Sequence, residues 1–259
     1  KAQQETQKAS VYFTYAIQVA ILVSIPIMII GLCFPEKVVS ILGANAEIQK
    51  YAIVYLRGFI GFTPFFILQQ IIVSFLRNDN NPHLAGIAML TGTIFNIIFD
   101  YILIYPCQLG MLGAALATGC SPIVTLLICS LHFIQKKNTF HFVRSSFHFR
   151  ILKQIIQIGI PSFITELSTG IIIFVFNILI LSISGNIAIA SYGVMSNLAL
   201  VVTSLFTGIA QGSQPLISHS YGEKNHRHIK DYLKLAFICS FILASLILLS
   251  TLLFPETII

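Results

Sequence analysis

The chain of 259 residues is predicted to be an all-α integral membrane protein with seven transmembrane helices. Composition is the first observation behind this class, because 56% of the residues are hydrophobic and only 9% are charged. A soluble domain has about 25% charged residues. Continuity is the second observation: the apolar residues form runs of about 20 rather than an alternating pattern, which favours helices over a β-barrel.

Seven apolar runs, separated by polar or proline-containing turns, are each long enough to cross a bilayer as a helix. Segment 77–82 is a polar turn, Pro106 ends the third run, and Gly185-Asn186 is predicted to break the chain between the fifth and sixth runs. A short interfacial helix is expected between the first two runs, within 36–50. The predicted spans are 11–34, 51–76, 84–105, 110–133, 155–183, 188–217 and 231–254.

Basic residues predict how the chain is oriented in the membrane. Twelve of the 15 Lys and Arg residues fall at one face, leaving only Lys37, Lys50 and Arg57 at the other. By the positive-inside rule, the N-terminal end of the chain is cytoplasmic and its C-terminal end is external, in a plasma or inner cell membrane. The net charge of +6 then reflects topology and anionic lipid, so no nucleic-acid partner is predicted.

The first and last runs end in the same triplet, Phe34-Pro35-Glu36 and Phe254-Pro255-Glu256, at an offset of 220 residues (254 minus 34). Two Ile/Leu-rich helices share some identities by composition alone, but a constant register favours internal duplication, which is typical of membrane transporters. Both copies run outward, because an even number of crossings separates them, so the repeat is parallel. The same offset relates Tyr12, Ala16, Ile27 and Leu32 to Tyr232, Ala236, Ile247 and Leu252.

The duplication predicts two lobes joined by a basic cytoplasmic linker. We expect a partial N-terminal lobe of four helices at 1–134, the linker at 135–153, and a partial C-terminal lobe of three helices at 154–259. On this interpretation the intact protein would have about 440 residues and two six-helix lobes. This chain would then hold helices three to nine.

Asp100 is the first of two acidic residues that fall well inside predicted spans. A charge at this depth costs about 2.5–3.5 kcal/mol on insertion scales, so it needs an explanation. Asn96 and Thr93 lie one and two turns before it on the same helix face. Oxygen ligands of this kind suit a proton or a small hard cation. The alternative is an interhelical hydrogen-bond cluster with Asp100 protonated.

Glu166 is the second acidic residue, near the midplane of the fifth span. Asn177 follows on nearly the same face, and Pro161 is predicted to kink the helix beside it. Glu166 is either a proton carrier or a neutral structural residue. In the sixth span, Asn197 and Gln211 suit a helix that lines a wet cavity, although ordinary back-bonded polar residues would look similar.

Neither catalytic nor metal-binding motifs are found. The sequence contains no GxSxG, Walker or HExxH pattern, and the five Cys residues are scattered without a CxxC pair. We therefore predict that the protein is not an enzyme and needs no metal or cofactor. Any transport would be driven by an ion gradient or by the substrate itself.

Six short motifs carry a resemblance to a known family. They are FLRNDNNP at 75–82, NIIFD at 96–100, GMLGAALAT at 110–118, GIPS at 159–162, GSQP at 212–215 and YGEKN at 221–225. In this order and spacing, the motifs resemble those of the multidrug and toxin extrusion (MATE) family of transporters, and the resemblance covers essentially the whole chain.

This resemblance implies a monomeric transporter of twelve helices in two lobes, which exports organic cations and drugs in exchange for H⁺ or Na⁺ by alternating access. It implies that Asn96, Asp100 and Thr118 occupy the cation-coupling positions of the first lobe. Glu166 lies in the helix where some members carry a second acidic residue. The first helix of the family, which supplies a further acidic partner in many members, is absent here. The substrate cavity is expected to include Glu166, Asn177, Asn197 and Gln211.

Two other functions remain open at this point. A flippase for lipid-linked sugars, from the same superfamily, would need a cationic cavity for a pyrophosphate, and no Arg or Lys lies deep in a predicted span. A seven-helix receptor would normally have an external N-terminus and no parallel repeat. Both features count against a receptor here.

Overall fold

The computed structural model describes the backbone of residues 2–42, 44, 48–79, 81–143 and 149–253, with side chains omitted at 2–6, 177 and 181–191. Within these ranges the ordered elements are eight α-helices and no strands, which confirms the predicted all-α class. The helices are α1 (Ala2–Cys33), α2 (Pro35–Ile41), α3 (Gln49–Ile60), α4 (Thr63–Asn78), α5 (Pro82–Ile104), α6 (Gly110–Ile134), α7 (Phe149–Gly222) and α8 (His226–Leu253).

Six segments of the described helices are long and apolar enough to cross a membrane, and a bent pair brings the number to seven. This agrees with the seven predicted spans, and α2 provides the short helix expected after the first span. The six segments are Gln7–Cys33, Pro82–Ile104, Gly110–Ile134, Phe149–Ile180, Tyr192–Gly222 and His226–Leu253.

The second predicted span, 51–76, is found as a bent pair of helices, because α3 and α4 meet at a bend of 51° that the sequence did not predict. Pro64 causes the interruption, since it has no N–H to donate to the carbonyl of Ile60 one turn earlier. The hydroxyl of Thr63 donates to that carbonyl instead, at 2.7 Å. The backbone therefore turns at Gly61 and Phe62 without leaving the Ile60 oxygen unpaired.

The predicted break at Gly185-Asn186 is not the end of a helix, because the backbone of α7 is helical from Phe149 to Gly222. The two spans that it was expected to separate are found on either side of it, at Phe149–Ile180 and Tyr192–Gly222. Neither residue prevents the backbone hydrogen bonds of a helix, and glycine costs only about 1 kcal/mol there relative to alanine. Helix α7 also continues through Pro161, where the hydroxyl of Thr165 donates to the Pro161 carbonyl at 2.9 Å.

The chain divides into two compact units, Lys1–Ser168 and Thr169–Ile259. Buried side chains of the first unit form a core at the end of the bundle where α1 and α5 begin and α4 and α6 end. Its members are Phe13, Ile17, Val73, Leu76, Ala85, Ala88, Cys129 and Phe140. The lobe boundaries expected from the repeat remain a prediction.

Small residues allow close packing of α6 against α5 and against the bend after α3. A Cβ added to Gly113 would lie 2.9 Å from the carbonyl oxygen of Leu103 on α5. A Cβ added to Gly119 would overlap the ring of Phe62 at the bend. Close approach of this kind is the usual way in which membrane helices pack, because lipid provides no hydrophobic force between them.

In the second unit, the motif at 221–225 forms the turn between α7 and α8. Lys224 adopts a positive φ of 56°, which reverses the chain after the last turn of α7. Asn225 then caps α8, because its Oδ1 accepts from the backbone N–H of His228 at 3.2 Å. This part of the motif is explained by backbone structure alone.

Candidate functional site

Helix α5 carries the polar pair that the sequence singled out. Asn96 and Asp100 are half-buried, and their Nδ2 and Oδ1 atoms are shielded from solvent without a hydrogen-bond partner among the described residues. Thr93 does not belong with them, because it is exposed and its hydroxyl donates to the Met89 carbonyl at 3.0 Å. An unpartnered buried polar group costs about 1–3 kcal/mol, so this pair is the strongest candidate for a ligand site.

Thr118 lies on α6, the helix that packs antiparallel to α5. Two contacts establish the register of the pair. Gly113 packs against Leu103, and the Ser121 hydroxyl donates to the Gly92 carbonyl at 2.8 Å. In this register Thr118, which is half-buried, lies at the level of the turn between Asn96 and Asp100. The three predicted cation-coupling residues of the first unit therefore share one level of a helix pair.

The other predicted residues lie on α7. Glu166 is exposed, within a fully exposed stretch of the first unit at 161–168. In the second unit Asn197 is exposed and Gln211 half-buried, and the two stand about 21 Å apart along the helix axis. Asn177 lies in the same helix, but its side chain is outside the described residues.

A second polar cluster, which the sequence did not predict, lies at the end of the first unit where α6 terminates. Asp79 Oδ2 accepts from His132 Nε2 at 2.8 Å and from the backbone N–H of Thr139 at 3.0 Å, while Oδ1 accepts the Thr139 hydroxyl. His132 is 1% exposed and Asp79 9%. The sequence showed only a polar turn and a histidine in an apolar run, with nothing to pair them.

The donor and acceptor roles in this cluster follow from its hydrogen bonds. Asn81 Oδ1 accepts from the backbone N–H of Leu84 at 3.3 Å and so caps α5. The amide nitrogen of Asn81 therefore faces His132 Nδ1, 3.1 Å away, and donates to it. With Nδ1 accepting, His132 donates from Nε2 to the Asp79 carboxylate.

A family comparison decides the identity of the fold. The MatE family model matches residues 2–102 and 161–259, which together make up most of the chain. The chain belongs to the MatE family. The apolar helices and this membership make it a multi-pass membrane protein.

Curated relatives of this MatE chain are multidrug export proteins called MepA. The protein from Staphylococcus haemolyticus is 32% identical over 227 residues, which is 87% of this chain and 50% of the relative. MepA of Staphylococcus aureus strain MRSA252 is 30% identical over 89% of this chain and 51% of the relative. The chain spans about half the length of the curated relatives it matches.

Solved structures show the same fold. An outward-facing multidrug resistance MATE family transporter of the MOP superfamily matches with a TM-score of 0.84 at 22% identity, over 98% of this chain and 57% of that one. A MOP superfamily transporter from Pyrococcus furiosus matches with a TM-score of 0.86 at 22% identity, with the same coverage. At this identity the likeness establishes the MatE fold and no more.

The matched stretches include most of the candidate residues. Asn96 and Asp100 lie within 2–102, whereas Thr118 lies between the two stretches. The four α7 residues Glu166, Asn177, Asn197 and Gln211 lie within 161–259. One MatE model thus matches both a stretch of the first unit and a stretch that extends through the second.

Proposed function

We propose that the protein is a secondary active antiporter, which exports organic cations and drugs in exchange for H⁺ or Na⁺ by alternating access. The MatE membership and the multidrug export function of the MepA relatives support the export step. Residues Asn96, Asp100, Thr118 and Glu166 take part in cation coupling. The cavity for the substrate includes Glu166, Asn177, Asn197 and Gln211.

One observation carries this proposal, namely the unpartnered carboxylate oxygen Oδ1 of Asp100 inside a membrane span. A proton or Na⁺ bound at the carboxylate would remove the cost of an unpaired buried acceptor. The same ion would weaken the attraction of the site for an organic cation. Because each ligand opposes the other, ion entry favours substrate release, which is the linkage that antiport requires.

The basic residues support a location and an orientation. We place the protein in the cell membrane as a monomer, with the face that carries twelve of the 15 Lys and Arg residues toward the cytoplasm. The Asp79–His132 cluster then lies at the cytoplasmic end of the first unit, and the start of α6 lies at the outer end.

Substitution of Asp100 tests the proposal directly. In proteoliposomes, the protein should export a fluorescent organic cation when a proton or Na⁺ gradient is imposed. Asp100→Asn keeps the size of the side chain but removes its charge, so we expect gradient-driven export to fall at least about tenfold, a change worth about 1.4 kcal/mol.

Thr93→Val is the matched control for this experiment. Thr93 lies on the same helix, but it is exposed and its hydroxyl bonds its own backbone turn, so export should stay within about twofold. Glu166→Gln tests the second acidic residue in the same assay. Unchanged export in Asp100→Asn, at equal protein per vesicle, would overturn the coupling role of the α5 pair.

A further inference from the structure

Residues 138–143, which we call the strap, follow α6 along the first unit without helix or strand structure. Alternate backbone N–H groups of the strap, those of Thr139, His141 and Val143, point toward the bundle. They donate to side-chain oxygens of Asp79 at 3.0 Å, Ser10 at 3.0 Å and Thr14 at 3.1 Å. The partners of the strap are therefore side chains rather than another backbone.

Phe140 fixes the strap from the middle. Its side chain is 2% exposed, and its ring lies 4.6 Å from that of Phe13 and 5.2 Å from that of Phe75, measured between centroids. Beyond the strap, the start of α7 also returns to α1, because the Tyr12 hydroxyl donates to Gln154 Oε1 at 2.8 Å. The predicted linker is thus tied to α1 at both ends, on either side of residues 144–148.

A continuous series of hydrogen bonds joins the strap to α5. Thr139 donates to Asp79, and His132 donates to the same carboxylate. Asn81 in turn donates to His132 and accepts from the backbone of Leu84 in the first turn of α5. The other described hydrogen bonds from the strap backbone lead to α1, so among the described residues this series is the polar connection of the strap to α5. Phe140 adds an apolar one, because it shares a core cluster with Ala85 and Ala88.

We propose that Asp79, His132 and Asn81 are positioning residues that couple the strap to α5. A displacement of the linker is transmitted through Thr139 and Asp79 to the first turn of α5. This helix carries Asn96 and Asp100. The coupling is physical, because Asp79 and His132 at its centre are buried and each is hydrogen-bonded to a partner on both sides. Asn81 is half-buried, and Thr139 at the strap end of the series is exposed. Its effect on transport rests on the proposed function, whereas the coupling itself does not.

Hydrogen exchange of the purified protein in nanodiscs measures the coupling without any transport. His132→Leu interrupts the series at its centre. We expect exchange to accelerate about tenfold or more in peptides that cover the strap and also in those that cover the first turn of α5, around Leu84, because a hydrogen bond to a charged group is lost. Thr139→Val, a milder change at the strap itself, should accelerate both regions in the same way.

Ser10→Ala is the matched control, because Ser10 anchors the strap to α1 outside the series. It should accelerate exchange in the strap but leave the first turn of α5 unchanged. If both His132→Leu and Thr139→Val leave exchange around Leu84 as slow as Ser10→Ala does, the proposed coupling is overturned.

His132→Gln distinguishes positioning from simple stability. Its amide nitrogen can donate to Asp79 and its amide oxygen can accept from Asn81, which reproduces the hydrogen bonds of the histidine. We expect slow exchange around Leu84 to be restored. In proteoliposomes, turnover should fall about tenfold in His132→Leu, with KM for the organic cation unchanged, and recover in His132→Gln.

The two proposals fail in different ways. If His132→Leu accelerates exchange but leaves turnover at the wild-type rate, the link to transport is overturned while the antiport proposal stands. If Asp100→Asn leaves gradient-driven export intact, the proposed function of the α5 pair fails. The exchange experiment still decides the coupling in that case.

Discussion

His132 Nε2 lies 2.8 Å from Asp79 Oδ2 in a site that is almost completely buried, although 53 residues separate the two in sequence. The described contacts of the Asp79 carboxylate are with the imidazole of His132 and with the N–H and hydroxyl of Thr139. A carboxylate at position 79 therefore accepts from three groups at once, and its charge strengthens each of these hydrogen bonds.

Asp79→Asn should destabilise the protein because it removes this charge. The Asn oxygen can still accept from His132 and from the Thr139 N–H, and its NH₂ can donate to the Thr139 hydroxyl, so the hydrogen bonds remain but lose their charged acceptor. We expect the free energy of unfolding to fall by about 1–2 kcal/mol, the difference between hydrogen bonds to a charged and to a neutral group. Thermal unfolding in detergent, followed by circular dichroism, measures this change.

Asp231→Asn serves as the control for that substitution, because Asp231 is exposed near the start of α8. Exposed substitutions usually change stability by about 0.5 kcal/mol or less. An equal effect of Asp79→Asn and Asp231→Asn would contradict the buried network.

Phe140 and Phe142 offer a second matched pair, two residues apart in the same segment. Phe140 is 2% exposed within the aromatic cluster, whereas Phe142 is 68% exposed. Phe140→Ala should cost about 3–5 kcal/mol in unfolding free energy, because it leaves a cavity in the core. Phe142→Ala should cost less than half as much, and similar unfolding midpoints for the two variants would argue against a buried strap.

Two glycines should respond to alanine with opposite signs. Gly86 has open space around an added Cβ, so Gly86→Ala should stabilise α5 by up to about 1 kcal/mol through helix propensity. A Cβ at Gly119 would overlap the Phe62 ring, so Gly119→Ala should destabilise the protein. Unfolding midpoints in one detergent test both signs, and a stabilising Gly119→Ala would disprove the close contact between α6 and the bend.

The helical fold was largely predictable from the sequence, because long apolar runs have few solutions in a bilayer. The bend after α3 was missed although its cause is visible, since Pro64 stands within an apolar run and cannot continue the backbone hydrogen bonds. The helical backbone of α7 at Gly185-Asn186 was missed for the opposite reason. Glycine and asparagine weaken a helix without preventing it, so Gly185-Asn186 was too weak a signal.

Only the part of the candidate site whose residues are close together in sequence was predictable. Asn96 and Asp100 are four residues apart on one helix, so a helical period alone brings them to one face. The Asp79–His132 pair depends instead on the packing of α6 beside the turn before α5. No local pattern encodes such a contact between residues 53 positions apart.

The bend between α3 and α4 can be tested through a double-mutant cycle. Thr63→Val removes the hydroxyl that donates to the Ile60 carbonyl, which should cost about 1 kcal/mol in unfolding free energy. In a Pro64→Ala background, the new backbone N–H can donate to that carbonyl, so the added Thr63→Val change should cost almost nothing. The expected coupling is therefore about 1 kcal/mol, from unfolding of all four proteins in one detergent. Equal costs of Thr63→Val in the two backgrounds would show that Thr63 does not replace the hydrogen bond that Pro64 removes.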